Sequence, residues 1–305
     1  MAYNLKDKLV VAISSRALFD LETENKIFEE NGLDEYYKYQ LDNENEPLQK
    51  GTGYRLVTNL LKINHYFSED EKQVEVIILS KNNAATSLRI TNAIKEHKLD
   101  ILRSGWTSGS DISTYLKAFK VDLFLSADEK DVVNAIKNGV AAAKILPSHQ
   151  IVHNSLGDQV RIAFDGDAVL FSEESELIYK EHGLEAFIKH EQENRDNPLD
   201  KGVFAKLLLT IANIQNKFKD KQSPIRTALV TARSAPTHER VIKTLNVWGV
   251  RIDEAFFLGG SEKYEVLEAF GADIFFDDQD THLDLSSSVV PSAKVIHQSI
   301  ENFKR

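Results

Sequence analysis

Slid along itself by 151 residues, the chain matches itself. Ala12 to Gly51 falls over Ala163 to Gly202 without a gap, with identical pairs at Ala17/Ala168, Ile27/Ile178, Gly32/Gly183, Lys38/Lys189, Pro47/Pro198 and Gly51/Gly202. The same offset lays Arg89 on Arg240, Ala118-Phe119 on Ala269-Phe270, and the apolar run at 121–125 on that at 272–276. Chance helical similarity loses register within a few turns. An offset held for more than a hundred residues predicts two repeats of one architecture, 1–150 and 151–305. The 305 residues suit two domains of ordinary size.

Each half alternates β-rich runs with helical stretches. Leu9–Ile13 and Val160–Phe164 lead into polar turns and long helices, and Ser172 is placed to cap the second of these. Val74–Leu79 and Ile225–Val230 follow, each before an amphipathic helix (Ala85–His97; Pro236–Trp248). In the second half come Glu254–Leu258, a helix over Lys263–Phe270, and Ile274–Phe276. Val289-Val290 and the tail to Arg305 can add a last strand and helix. Strand–helix alternation predicts an α/β fold with a parallel sheet in each half. Ligands of such sheets bind beyond the carboxyl ends of the strands.

Composition narrows the chemistry. With no cysteine there is no disulfide framework, thiolate metal site or cysteine nucleophile. The net charge of −10 has no basic stripe set against it, so a nucleic-acid partner is not expected. No apolar run has bilayer length and the start MAYNLKDK lacks a signal-peptide core, so the expectation is a cytoplasmic protein with no membrane partner. The nine histidines include no HExxH, which argues against a zinc hydrolase.

The polar residues just beyond the strands of the second half form an ordered set. The first strand runs into Asp165-Gly166-Asp167, the second into Thr231-Ala232-Arg233-Ser234, and the fourth into Asp277-Asp278. Lys263 opens the helix after the third. An Asp-Gly-Asp alone is usually a solvated turn, a lone Thr a helix cap and a lone Lys a solvated charge. Val169 and Leu170 exclude a calcium loop here. In this order, though, the carboxylates can hold a hard Mg²⁺ through oxygen, and Thr231 and Lys263 can donate to a phosphoryl group.

The set resembles the haloacid-dehalogenase (HAD) superfamily of phosphotransferases. The strings at 161–176, 224–236 and 274–279 are similar to the cytosolic 5′-nucleotidase I family, as are 11–20, 39–48 and 116–128 in the first half. The resemblance covers nearly the whole chain. It implies two tandem Rossmann-like, HAD-type units and a helical cap inserted at about 171–223. It implies Asp165 as nucleophile and Asp167 as acid/base, with Thr231 and Lys263 on the phosphoryl oxygens. Mg²⁺ would be held by Asp165, the Asp167 carbonyl and the Asp277-Asp278 pair, the division within that pair staying open. A nucleoside 5′-monophosphate, AMP or IMP, would be the substrate. Arg233 and Ser234 are substrate-contact candidates by position; in the cap so are Phe187, His190 and Arg195.

At the same offset the first half lacks this chemistry: Ser14 replaces Asp165, Arg16 Asp167, Ser80 Thr231, Ile112 Lys263, Ser126 Asp277 and Ala127 Asp278. One active site per chain is expected. The first half then serves as a structural partner or as an anion site for a nucleoside di- or triphosphate effector, formed by Ser14, Ser15, Arg16, Ser80, Asn82 and Asn83. A phosphatase for another small ester and a nucleotide-sensing protein without turnover are the alternative functions. Base and ribose preference and any homo-oligomer stay open.

Overall fold

The structure, a computed structural model, describes residues 4–147, 159–218 and 221–296. The chain forms two compact units, Met1–Pro147 and Ser148–Arg305. In the first, strands β1 (Leu9–Ile13), β2 (Val74–Ser80), β3 (Arg103–Trp106), β4 (Leu123–Ser126) and β5 (Ala141–Ile145) lie in the order β3-β2-β1-β4-β5. The second contains β6 (Val160–Phe164), β7 (Ile225–Thr231), β8 (Glu254–Phe257), β9 (Ile274–Asp277) and β10 (Ser292–Val295), ordered β10-β9-β6-β7-β8. Neighbouring strands within each unit run parallel. Each strand of the second unit starts 151 residues after its counterpart in the first.

Parallel sheets are covered by helices on both faces, so their strands read as continuous apolar runs. β1 is buried along its whole length, and β6 at every residue but Arg161. One polar contact recurs under the first strand of both units. Asp122 accepts from the Val10 N–H (3.1 Å) and Asp273 from the Arg161 N–H (2.9 Å). In the second unit the Phe164 ring stacks on Phe276 at 5.6 Å, and Phe204 packs 4.9 Å from Phe276.

The long helices Glu22–Asp42 and Glu174–Glu193 depart from this pattern. Each breaks at a glycine in the left-handed region, Gly32 (φ 86°) and Gly183 (φ 80°), where a side chain would be strained. Few of their residues are buried, and most of those are polar: Glu24 and Gln40 in one, Ser175, Phe187 and Glu191 in the other.

Three expectations need correction. Ser172 does not cap its helix; its hydroxyl is buried without a hydrogen bond and its N–H donates to Asp200 O. The last strand is Ser292–Val295, beyond Val289-Val290, and the tail from 297 onward lies outside the described residues. Helix Ala205–Gln215 buries Leu207, Leu208 and Ile211, and Gln215 donates to Asp253 (2.8 Å) and to the β7 carbonyl of Ile225 (3.4 Å).

The third correction concerns the gapless offset, which slips by one residue in the turn after the first strand. Leu18 O and Leu170 O accept from Gly51 N and Gly202 N, and Ala17 O and Val169 O from Gly53 N and Phe204 N. The acceptors are 152 apart while the donors keep 151, and the bridge Phe19–Lys50 against Phe171–Lys201 differs in the same way, 152 on its Phe side and 151 on its Lys side. The second unit therefore fits Asp167 and Ala168 where the first has Arg16 alone. The longer turn closes through Phe171 N to Gly166 O (3.0 Å), with Ala168 forced to φ 64°. One-residue expansions of a helical turn of this kind are common at functional sites.

Candidate active site

In the second unit the chain leaves β6 for β7 and β8 on one side and returns to β9 and β10 on the other. The crevice beyond the carboxyl ends of β6 and β9 is thus a topological switch point, where open α/β sheets bind ligands. Asp165 follows β6 directly, its N–H bonded to Phe276 O (2.8 Å), and Asp277 is the last residue of β9. Thr231 ends β7, and Lys263 precedes helix Tyr264–Phe270. Parallel register puts Asp165, Thr231 and Asp277 at the carboxyl end of the sheet, and Lys263 reaches them from the head of its helix.

The Lys263 ammonium lies between two carboxylates, 2.7 Å from Asp165 Oδ1 and 2.7 Å from Asp277 Oδ2. All three side chains are buried. Burial alone would lower the lysine pKa; the two carboxylates reverse that and push it up to about 12. Burial raises the Asp165 carboxyl well above the usual range, with Asp277 and Asp278 adding to the rise and Lys263 opposing it. Burial would raise Asp277 too, but a hydrogen bond from His282 (Nδ1 to Oδ2, 3.2 Å) and the charge of Lys263 hold it low. The Gln279 N–H donates to the other Asp277 oxygen at 2.9 Å.

Asp165, Asp277 and Asp278 each bring one oxygen within 4.8 Å of the others. Three carboxylate oxygens so crowded suit a hard divalent cation of the Mg²⁺ type. The Thr231 hydroxyl stands beside the first turn, 3.5 Å from where a Cβ on Gly166 would sit.

Asp167 is half-buried on the expanded turn and is gripped by Arg233, whose Nε and Nη2 reach its two oxygens at 2.7 and 2.6 Å. Arg233 is itself buried, bonded to Glu191 and to Thr237 O (3.3 Å), with its guanidinium 5.2 Å from the Phe187 ring centre. Ser234 is exposed; its hydroxyl donates to Ala235 O at 3.4 Å and its carbonyl accepts from Thr237 Oγ1 at 2.8 Å. His190 faces Glu174 at 3.2 Å, and Arg195 is exposed beside Asp196. Glu191 and His282 were missed in the sequence. Glu191 had a signal: it aligns with Gln40, a change of charge at a fixed position.

In the first unit Ser14, Ser15, Ser80 and Asn82 come together at the end of β1 and β2. Ser15 Oγ lies 2.9 Å from Ser80 Oγ and 3.1 Å from Asn82 Oδ1, and Ser80 donates to Asn82 Oδ1 at 2.7 Å. The Ser14 hydroxyl is buried without a hydrogen bond. Arg16 points elsewhere, forking onto Glu22 at 2.8 and 3.0 Å, and Asn83 caps a turn by accepting from Thr86 N (2.8 Å).

Fold and side chains define a parallel α/β unit with a carboxylate and ammonium site at its switch point, paired in sequence with a second such unit that lacks the charges. Comparison with known proteins gives the family. A 5′-nucleotidase family model matches residues 1–302, and the chain belongs to the 5′-nucleotidase family. Human cytosolic 5′-nucleotidase 1B is 38% identical over 288 residues, in agreement with the cytosolic I type. The match takes in 92% of this chain and 47% of the human protein, so the chain spans about half the length of that relative. Histidinol dehydrogenase from Elizabethkingia anophelis aligns over 95% of this chain and 80% of its own at 8% identity, with a TM-score of 0.24, from which no fold relationship follows. No helix among the described residues is long and apolar enough to cross a membrane.

Proposed function

We propose that this chain is a Mg²⁺-dependent 5′-nucleotidase that cleaves a nucleoside 5′-monophosphate, AMP or IMP, to nucleoside and phosphate at the end of β6. The observation that carries it is Lys263 held between Asp165 and Asp277, a buried cation facing a carboxylate at a switch point. Family membership supports the same reading. A dianionic ester repels a carboxylate nucleophile, and Lys263 offsets part of that repulsion. Asp165, Asp277 and Asp278 would hold Mg²⁺, which supplies further positive charge against the phosphoryl oxygens.

Asp165 attacks phosphorus, forming an aspartyl-phosphate as the bond to the nucleoside oxygen breaks. That oxygen takes a proton from Asp167. Water then attacks the same phosphorus, giving its proton to Asp167, and phosphate leaves with Asp165 regenerated. Thr231 and Lys263 donate to the phosphoryl oxygens throughout.

We read the two units as repeats of one architecture, the second catalytic and the first not; their common strand order supports this. Residues from 172 to about 201 would form the cap. An effector nucleotide at Ser14, Ser15, Ser80 and Asn82 draws support from the unbonded Ser14 hydroxyl, with Arg16 having to leave Glu22 to join it. ADP titration of the parent and of Arg16→Ala tests that idea; no binding and no change in rate removes it.

The test of the main reading is phosphate release from nucleotides and sugar phosphates, with Mg²⁺ and with EDTA, beside Asp165→Asn. Metal-dependent release concentrated on nucleotides and lost in the variant is expected. Release from sugar phosphates alone keeps the chemistry and changes the substrate. No release from any ester moves the assignment to a nucleotide-sensing protein.

A further inference from the structure

Arg233 stands where a substrate contact was expected, and its three guanidinium nitrogens all reach protein groups. Its Nε and Nη2 form a fork on both oxygens of Asp167, and its Nη1 meets Glu191 and Thr237 O. Glu191 is held in turn by Arg240 (2.9 Å) and by the Ser175 hydroxyl (2.8 Å). The chain of contacts runs from helix Glu174–Glu193 through Arg233 to the turn that carries Asp167. A two-bond guanidinium fork fixes the plane of a carboxylate as well as its place.

The first unit is an internal control. Its residue at the Arg233 position is Asn82, and at the Glu191 position Gln40. There Asn82 donates to Tyr36 OH (2.7 Å), and Gln40 donates to the same hydroxyl (3.0 Å). Arg89, the counterpart of Arg240, is retained and bonds Gln40 (3.2 Å) and Glu24 (2.6 Å). A neutral amide pair therefore serves the same helix-to-strand contact. The charged pair occurs in the unit whose turn is one residue longer and carries a carboxylate. Arg240 and Arg89 belong to the common scaffold; Arg233 and Glu191 follow Asp167.

We infer that Arg233 is a positioning residue for the carboxylate of Asp167, not a contact for the substrate, and that Glu191 anchors Arg233 in that role. The inference rests on the acid/base role proposed for Asp167. Arg233 sets where the Asp167 oxygens stand relative to the leaving nucleoside oxygen and to the attacking water. Reaching Asp167 from the 174–193 helix, it also couples that helix to the chemistry.

A double-mutant cycle on the preferred nucleotide tests this. Arg233→Gln is expected to lower kcat by about 100-fold with KM within about threefold, the range of a displaced acid/base group. In an Asp167→Asn background the same change should cost less than about threefold, because a residue acting through Asp167 has nothing left to position. Glu191→Gln should show the same coupling with a loss of about tenfold. Arg233→Lys, which keeps the buried charge without the fork, serves if Arg233→Gln fails to fold, and carries the same expectation. Losses that multiply across the cycle, or a loss expressed in KM, overturn the inference and return Arg233 to substrate binding. Full activity in Asp167→Asn alone would instead overturn the role proposed for Asp167.

Discussion

Asp165 and Lys263 are buried opposite charges in direct contact. The Asp165 pKa lies above its unfolded value, so the ionised form costs the folded state stability above the ordinary carboxylate range; that cost lifts as pH falls below the raised pKa. Asp165→Asn is therefore expected to melt above the parent in EDTA near neutral pH, with the gap closing on acidification. A melt at or below the parent across the pH range contradicts this. Lys263→Met leaves two buried carboxylates facing each other without their cation. It should destabilise the fold by about 3–5 kcal/mol in metal-free buffer, read by denaturant titration. The placement of these two charges beside the strand ends was legible in the sequence, because charges there are few and ordered. The fork of Arg233 on Asp167 was not, since position after a strand does not say which way a long side chain turns.

At the scale of elements, the turn after β6 separates the two units more sharply than any single substitution. Its extra residue leaves Ala168 in the left-handed region and brings Asp167 to Arg233. Removing Ala168 gives the turn length of the first unit, whose flanking backbone bonds are the same. The shortened protein is expected to fold and to release phosphate about 100-fold more slowly, as for a misplaced acid/base group, in a steady-state assay. Gly202 closes the same turn from below: a Cβ there would lie 2.4 Å from Phe171 O and 2.6 Å from Val169 O. Backbone cannot yield cheaply at such a distance, so Gly202→Ala should cost about 1–3 kcal/mol and disturb the motif, measured by thermal melting and activity together. Self-alignment missed the extra residue because the long helix that follows recovers the 151 offset by Gly32 and Gly183.

For the whole molecule, two units of like strand order carry one cluster of strand-end carboxylates with a lysine, the set proposed as catalytic. Acid quenching during turnover of a phosphate-labelled nucleotide should therefore trap no more than one phosphoryl group per chain, and none in Asp165→Asn. Label approaching two per chain, or surviving in Asp165→Asn, would place chemistry in the first unit. The strand spans predicted for β1, β2, β6 and β7 agree with the structure to within a residue, because buried parallel strands are written as continuous apolar runs. Helix burial was harder to read: Ala205–Gln215 and Glu174–Glu193 are both helical, and only packing separates a buried helix from an exposed one.

The sequence by itself determined the two-unit plan, the strand ends, and the identity of the carboxylates, threonine and lysine at the second unit's edge. Those follow from local rules, since apolar period fixes strands and parallel order puts their carboxyl ends on one side. Tertiary structure alone decided that Lys263 joins Asp165 to Asp277, that Arg233 turns to Asp167 and Glu191, and that Arg16 turns to Glu22. Each of these is a choice of partner between charges far apart in the chain or on opposite sides of a turn. For the buried groups an unpaired charge is costly; for the exposed Arg16–Glu22 pair reach alone decides, and in every case the geometry of the fold sets which opposite charge is near.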